Sequence, residues 1–155
     1  FKKSGSTDIK LVLAGARMWW TDDIRLAYEA MEHRDDVIFT GRVSDQDLAS
    51  LMASALALTY VSYFEGFGIP ILEAFCCDTP VITSNLTSMP EVAGNAAILT
   101  DPFSINSIAE AMQKVASDSA FRQKMIDTGR EQRDKFSWQQ TAEKLWDCVE
   151  KAMER

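Results

Sequence analysis

Two rhythms alternate along the chain. Short, nearly continuous apolar runs recur, and between them apolar residues fall three and four apart. Ile9 to Ala14 reads as a buried strand ending at Gly15, and Val37 to Thr40 as a second closed by Gly41. Leu56 to Tyr60, Pro80 to Thr83 and Ala96 to Thr100 predict three more strands. Between them lie helical patterns. Thr21 offers an N-cap, with Asp22 and Asp23 favourable in the first turn. Ser44 opens a second helix with Leu48, Leu51, Met52 and Ala55 on one face. Gly68 to Cys77 predicts a helix apolar on nearly every side, hence buried. Pro90 to Ala93 gives a single turn capped by Gly94. Helices then follow without strands, over about Ser104–Ser117, Ser119–Asp134 and from Ser137, a capping box with Gln140.

This order predicts an α/β fold: a parallel sheet with helices on both faces and a C-terminal helical flank. In such sheets ligands sit beyond the carboxyl ends of the strands. The loops after Ala14, Thr40, Tyr60, Thr83 and Thr100 are therefore the ones to watch.

At 155 residues with 46% hydrophobic positions, the chain fits one compact domain, 1–155. A net charge of -7 argues against nucleic acid as a partner. No apolar run reaches the roughly 18 residues of a membrane span, and Phe1 to Thr7 lacks a signal peptide's apolar stretch. Cys76, Cys77 and Cys148 match no zinc spacing and are expected to be reduced, mostly buried thiols in a cytoplasmic protein. Asp45 and Asp47 have a spacing that can hold a metal, but at a helix start acidic residues are expected for capping. No metal or cofactor is expected. His33, the single histidine, is expected in the last turn of a helix. Arg122, Lys124, Arg130, Arg133 and Lys135, interleaved with acids, read as a solvated face; attraction to anionic lipid headgroups is the alternative. Arg17, Met18, Trp19 and Trp20 follow Gly15 at a strand's carboxyl end; one Trp is expected to pack on the domain and the other to meet a partner surface, the missing half, with a ligand role as the alternative.

The segment Ser62 to Glu73 carries the candidate chemistry. It leaves a strand and opens a helix. Gly66 and Gly68 remove side chains where a ligand could approach, and Pro70 suits a first helical turn. Free N–H groups and the positive end of the helix dipole favour an anion such as phosphate. Glu65 lies in the loop, and Glu73 follows inside an otherwise apolar helix. From spacing alone two readings stand for each. Glu65 is either a ligand contact or an N-cap carboxylate. Glu73 either faces a polar cleft or bonds a neighbouring group.

The run from Glu65 through Gly66, Phe67, Gly68 and Ile69 to Glu73 resembles the paired-glutamate motif of the retaining glycosyltransferases of family 4, the group 1 transferases. Val37 to Gly41, Ser62, Thr79 to Val81, Pro90 to Gly94, Asp101-Pro102 and Phe136 to Trp138 resemble the family too, in the same order. Val61 and Asp78 depart from its usual Pro and Gly; Asp tolerates left-handed backbone, so the turn should survive. The resemblance implies the Rossmann-like, donor-binding C-terminal half of a two-domain (GT-B) enzyme, truncated at its N-terminus so that it starts in the helix after the family's Gly-rich loop and lacks the basic pair that holds the diphosphate. It implies that Glu65 contacts the donor sugar and acts in catalysis, and that Glu73 accepts from the ribose hydroxyls. The N–H groups of Gly66, Phe67, Gly68 and Ile69 would meet sugar and phosphate oxygens, and backbone at Arg42 and Val43 would face the base. The implied partners are a UDP- or GDP-type sugar, a separate acceptor-binding domain and, for the parent enzyme, the inner face of a membrane. Hexose transfer to a glycan or glycolipid, without metal, is the implied reaction. The isolated chain is expected to be inactive. A nucleotide-binding or association module without activity is the competing reading, as is a dinucleotide domain, which the lack of Gly-x-Gly-x-x-Gly after Ala14 disfavours.

Overall fold

The computed structural model describes residues 1–5, 8–18 and 20–153. Expectations for Ser6, Thr7 and Trp19 fall outside the described residues. The order is β1 (Leu11–Ala14), α1 (Asp22–Glu29), β2 (Val37–Gly41), α2 (Asp45–Ser54), β3 (Leu58–Tyr60), α3 (Ile69–Cys76), β4 (Val81–Ser84), α4 (Met89–Ala93), β5 (Ala97–Thr100), α5 (Ile105–Ser117), α6 (Ser119–Arg133) and α7 (Trp138–Met153). Short 3₁₀ turns stand at Lys2–Ser4 and Arg34–Asp36. Side-chain caps set the helix starts. Thr21, Ser44, Ser104 and Asp118 accept from the N–H three residues ahead, as does Ser137 from Gln140 at 3.1 Å.

The strands pair in parallel, as the α/β alternation predicts, but in two sheets. β1 pairs with β2, and β3–β4–β5 form the other. Among the described residues no ladder joins β1 to β3, and each has an unpaired edge there.

The two sheets are buried unequally. Val81, Ile82, Thr83 and Ser84 of β4 are at most 1% exposed. Successive side chains of this strand point to opposite faces. Val81 joins Met52, Ile71, Phe75, Met89 and Val92 on the side of α2, α3 and α4. Ile82 joins Ala111, Val115 and Met125 on the side of α5 and α6. Leu11, Val12 and Leu13 of β1, by contrast, are 37%, 42% and 40% exposed. Trp20, Tyr28 and Phe39 form an edge-to-face cluster on this half, with the Arg17 guanidinium 3.6 Å from the Phe39 ring centroid. Trp20 thus packs on the domain.

α3 and α6 cross closely. A Cβ added at Gly129 of α6 would come within 2.9 Å of the Phe75 ring. Beyond the end of α3, Asp78 takes φ 56°, the left-handed turn its side chain tolerates. Arg130 grips its carboxylate through Nε at 2.9 Å and Nη2 at 2.7 Å, and Arg133 donates to the Phe75 carbonyl at 3.0 Å. Arg122 likewise caps α5 through the Val115 and Ala116 carbonyls. Lys124, Arg130 and Lys135 are exposed, as a solvated face requires, while the arginines of the stretch also bind helix ends and Asp78. Two expectations are corrected. His33 lies beyond α1, at the start of the 3₁₀ turn Arg34–Asp36. The cysteines are free, but Cys76 and Cys148 are exposed and Cys77 half-buried, because Cys76 faces outward on α3 and α7 buries no residue.

Two predictions follow from this packing. Gly129→Ala forces Phe75 or α6 to move and should cost about 1–3 kcal/mol in urea unfolding. The second concerns acid. Arg130 holds Asp78 below its ordinary value of 3.8, and the hydrogen bond from Lys10, with Lys2 beside it, holds Asp36 at about 2. A lowered carboxyl contributes stability that is full above the unfolded value and is lost as pH falls through the folded one. Unfolding midpoints should fall as pH drops below about 4, and Asp36→Asn or Asp78→Asn should flatten that decline.

Candidate functional site

β3 delivers the chain to its carboxyl end at Tyr60, and Val61–Gly68 then loop back to the N-terminus of α3. Gly68 makes that return. It is the N-cap residue of α3 at φ 102°, buried, and a Cβ there would stand 3.2 Å from Ile71 Cδ1. Gly66 is different, since nothing lies within 4 Å of a Cβ built on it. Among the described residues, the N–H groups of Gly66, Phe67, Gly68 and Ile69 donate to no protein acceptor. Three of these precede α3 and the fourth is its first residue. The loop and helix start thus offer four consecutive free donors, where the helix dipole adds positive character.

Glu65 is held from three directions. The Tyr60 hydroxyl donates to its Oε1 at 2.5 Å. Its own N–H donates to Thr87 Oγ1 at 3.3 Å, and its carbonyl accepts from Ser88 Oγ at 3.0 Å. Thr87 and Ser88 belong to the β4–α4 loop, in which Thr87 adopts φ 53°. The carboxylate therefore caps no helix, and the N-cap reading does not hold. Burial and then the hydrogen bond to Glu65 push the Tyr60 phenol up, with Ser62 and the charge of Glu73 also acting on it. The phenol stays a donor at neutral pH.

Glu73 lies mid-helix on α3 and is exposed, and among the described residues its carboxylate has no hydrogen bond or ion pair. The reading of a carboxylate satisfied by a neighbour is thereby removed. It faces outward while Ile71, Ala74 and Phe75 of the same helix are buried. Tyr63 stacks on Phe103 of the β5–α5 loop at 4.8 Å, and both rings are exposed. Phe67 meets Phe136 edge-on at 5.8 Å.

Arg42 and Val43 follow β2 in the other sheet, at its carboxyl end. Gly15 N–H donates to the Gly41 carbonyl beside them at 3.0 Å. No hydrogen bond or ion pair joins them to Glu65 or Glu73 among the described residues. Asp45 and Asp47 stand in the first turn of α2, capped by Ser44: the Asp47 N–H donates to Ser44 Oγ at 3.1 Å, and the Ser44 hydroxyl donates to Asp47 Oδ2 at 2.7 Å. No group of acidic, histidine or cysteine side chains among the described residues could hold a metal. An apolar cavity of about 450 Å³ lies elsewhere, lined by Ile9, Leu11, Val37, Ile105, Ile108 and Met112. It sits at the amino ends of β1 and β2, away from this loop.

Tyr60, Thr87 and Ser88 are the site residues that local sequence did not single out. Tyr60 carried a signal, since it is a phenol at the carboxyl end of a strand, just ahead of the loop. Thr87 and Ser88 carried none beyond lying in a polar stretch after a buried strand.

The profile of the family described as glycosyl transferases group 1 matches residues 1–132. The O-antigen chain mannosyltransferase B of Escherichia coli is 37% identical over 129 residues, covering 83% of this chain and 34% of that protein. The chain thus spans about a third of that relative's length. Among solved structures, the sucrose-phosphate synthase of Thermosynechococcus elongatus superposes with TM-score 0.75 at 26% identity, over 94% of this chain and 39% of that one. The Anabaena protein Alr3699/HepE, in complex with UDP and glucose, shares the fold with TM-score 0.73 at 22% identity, over 89% and 40%.

The Gly68 turn supplies a test of the site's architecture. Gly68→Ala places a side chain at φ 102°, a conformation that costs roughly 1–3 kcal/mol. Its melting temperature should fall, while Gly66→Ala, with open space around it, should melt as wild type.

Proposed function

The chain belongs to the glycosyl transferases of group 1, and from that premise we propose that it is the donor-binding half of a retaining hexosyltransferase. One observation carries the reading. Two carboxylates, Glu65 and the unpartnered Glu73, flank a run of free N–H groups leading into α3. That set suits a nucleoside-diphosphate sugar. The N–H groups of Gly66, Phe67, Gly68 and Ile69 and the helix dipole meet diphosphate and sugar oxygens. Glu73, an acceptor only, takes the ribose hydroxyls, and Glu65 takes hydroxyls of the sugar near the reacting carbon. Arg42 and Val43 border the base through their backbone. The relatives' names favour mannose as the sugar, and a protein of this fold is seen with UDP and glucose.

In the reaction, the bond from the anomeric carbon to the diphosphate oxygen breaks and one to an acceptor hydroxyl oxygen forms on the same face, the hydroxyl proton passing to the departing diphosphate. The departing diphosphate gathers negative charge. Preorganised donors aimed at it are the main catalytic resource, and the helix start provides part of them. A basic pair supplied from elsewhere in a longer protein provides the rest, so the isolated chain is inactive. The same longer protein supplies the acceptor-binding half. The unpaired edges of β1 and β3 and the apolar cavity beside β1 support a fold completed by further chain. A glycan or glycolipid acceptor accounts for work at the cytoplasmic face of a membrane, reached peripherally. No described helix is long and apolar enough to cross one.

A thermal-shift titration with UDP, GDP, ADP and NAD tests the proposal, on this chain and on a longer form. Ligand at a hundred times its dissociation constant adds about 2.7 kcal/mol. One nucleoside diphosphate should stabilise the longer form, and Glu73→Ala should remove the shift. Response to NAD alone, or to nothing, would overturn the reading.

A further inference from the structure

Glu65 sits on a loop, yet loops alone aim side chains poorly, and a reacting centre tolerates errors of only about half an ångström. What holds this carboxylate is a chain of contacts running back to the core. Thr83 of β4 is fully buried and donates from Oγ1 to the Tyr60 carbonyl at 2.8 Å. Tyr60 is the last residue of β3 and packs against the core that contains Val81 and Ile71. Its hydroxyl then reaches Glu65 Oε1. The other carboxylate oxygen, Oε2, has no partner among the described residues. Main-chain contacts from Thr87 and Ser88 fix the backbone of the same residue.

We infer that Tyr60 is a positioning residue, whose hydroxyl locks one oxygen of Glu65 so that the other is presented to a hydroxyl of the donor sugar. This rests on the role proposed for Glu65 and adds to it a residue outside the Glu65–Glu73 segment. The lock is directional. A phenol donor satisfies one oxygen and leaves the carboxylate's charge in place, whereas a cation at that point would neutralise it. It also selects one rotamer of a side chain that otherwise samples several. The strand end that carries Tyr60 is tied to the buried strand β4, so the aim is inherited from the sheet.

The test uses the full-length transferase and two binding measurements, the affinity for the nucleotide sugar and that for the bare nucleoside diphosphate. A hydrogen bond to a charged group is worth about 10- to 100-fold. Tyr60→Phe should weaken nucleotide-sugar binding, or lower kcat, by about that factor, with diphosphate affinity and melting temperature near wild type. In a Glu65→Ala background the same substitution should have almost no further effect, because the acceptor is gone. Three outcomes overturn the inference: full function in Tyr60→Phe, losses that add to those of Glu65→Ala, or equal loss of diphosphate binding and stability, which would mark a purely structural tyrosine. If Glu65→Ala itself leaves sugar binding and transfer intact, the role of Glu65 fails first and the inference falls with it.

Discussion

The burial of β4 is the constraint on which the candidate site depends. Its four residues see almost no solvent. A strand so placed must satisfy every polar group internally. Two of its side chains are nevertheless hydroxylic, and Thr83 meets the requirement by reaching across to β3. Thr100 of β5 in turn donates to the Thr83 carbonyl. The polar atoms of the sheet interior thus become ties between strands. Tyr60 ends one of those strands, and Glu65 hangs from Tyr60. The order of the loop is the order of the core, passed on through three hydrogen bonds. An apolar residue in place of Thr83 could fill the same space and would break the first of them.

Much of this architecture was legible because its signals are local. Thr21, Ser44, Ser104 and Ser137 are short polar side chains ahead of periodic apolar stretches, and each does cap a helix. The strands appeared as apolar runs, and Glu65 and Glu73 stood out against their surroundings. Contacts made at long range were not legible. Arg130 lies 52 residues from Asp78, and nothing near either residue foretells a bidentate pair. Nothing local marks Gly129 as the point where the Phe75 ring lies against α6. The same holds for Thr87, whose left-handed backbone carries no sequence mark of the kind that glycine leaves. His33 shows the opposite error. The pattern extended α1 too far, because Met31 continues its apolar spacing after the backbone has left the helix.

The molecule is uneven in how firmly it is built. One sheet is enclosed on both faces by five helices, while the other is a two-stranded ribbon with an aromatic cluster on it. Two-stranded sheets are marginal by themselves. Local opening should therefore begin at β1 and β2, and the Glu65 loop belongs to the firmer half. That division matters for recognition. Arg42 and Val43 stand on the looser half and the two glutamates on the firmer one. A ligand touching both would join them, and its binding energy would be spent partly in holding the halves together.

The two glycines of the loop answer to different masters. Gly68 is dictated from within, by its backbone angle and by Ile71 beneath it. Gly66 is not, since the protein leaves empty space around it. The fold would accept many residues at that position, so the bareness of the chain there is a property of its outer surface alone. Position 66 is accordingly a dial that can be turned without loosening the machine. Graded side chains there would narrow the mouth of the loop step by step, and would let the size of what enters be re-cut separately from the stability of what holds it.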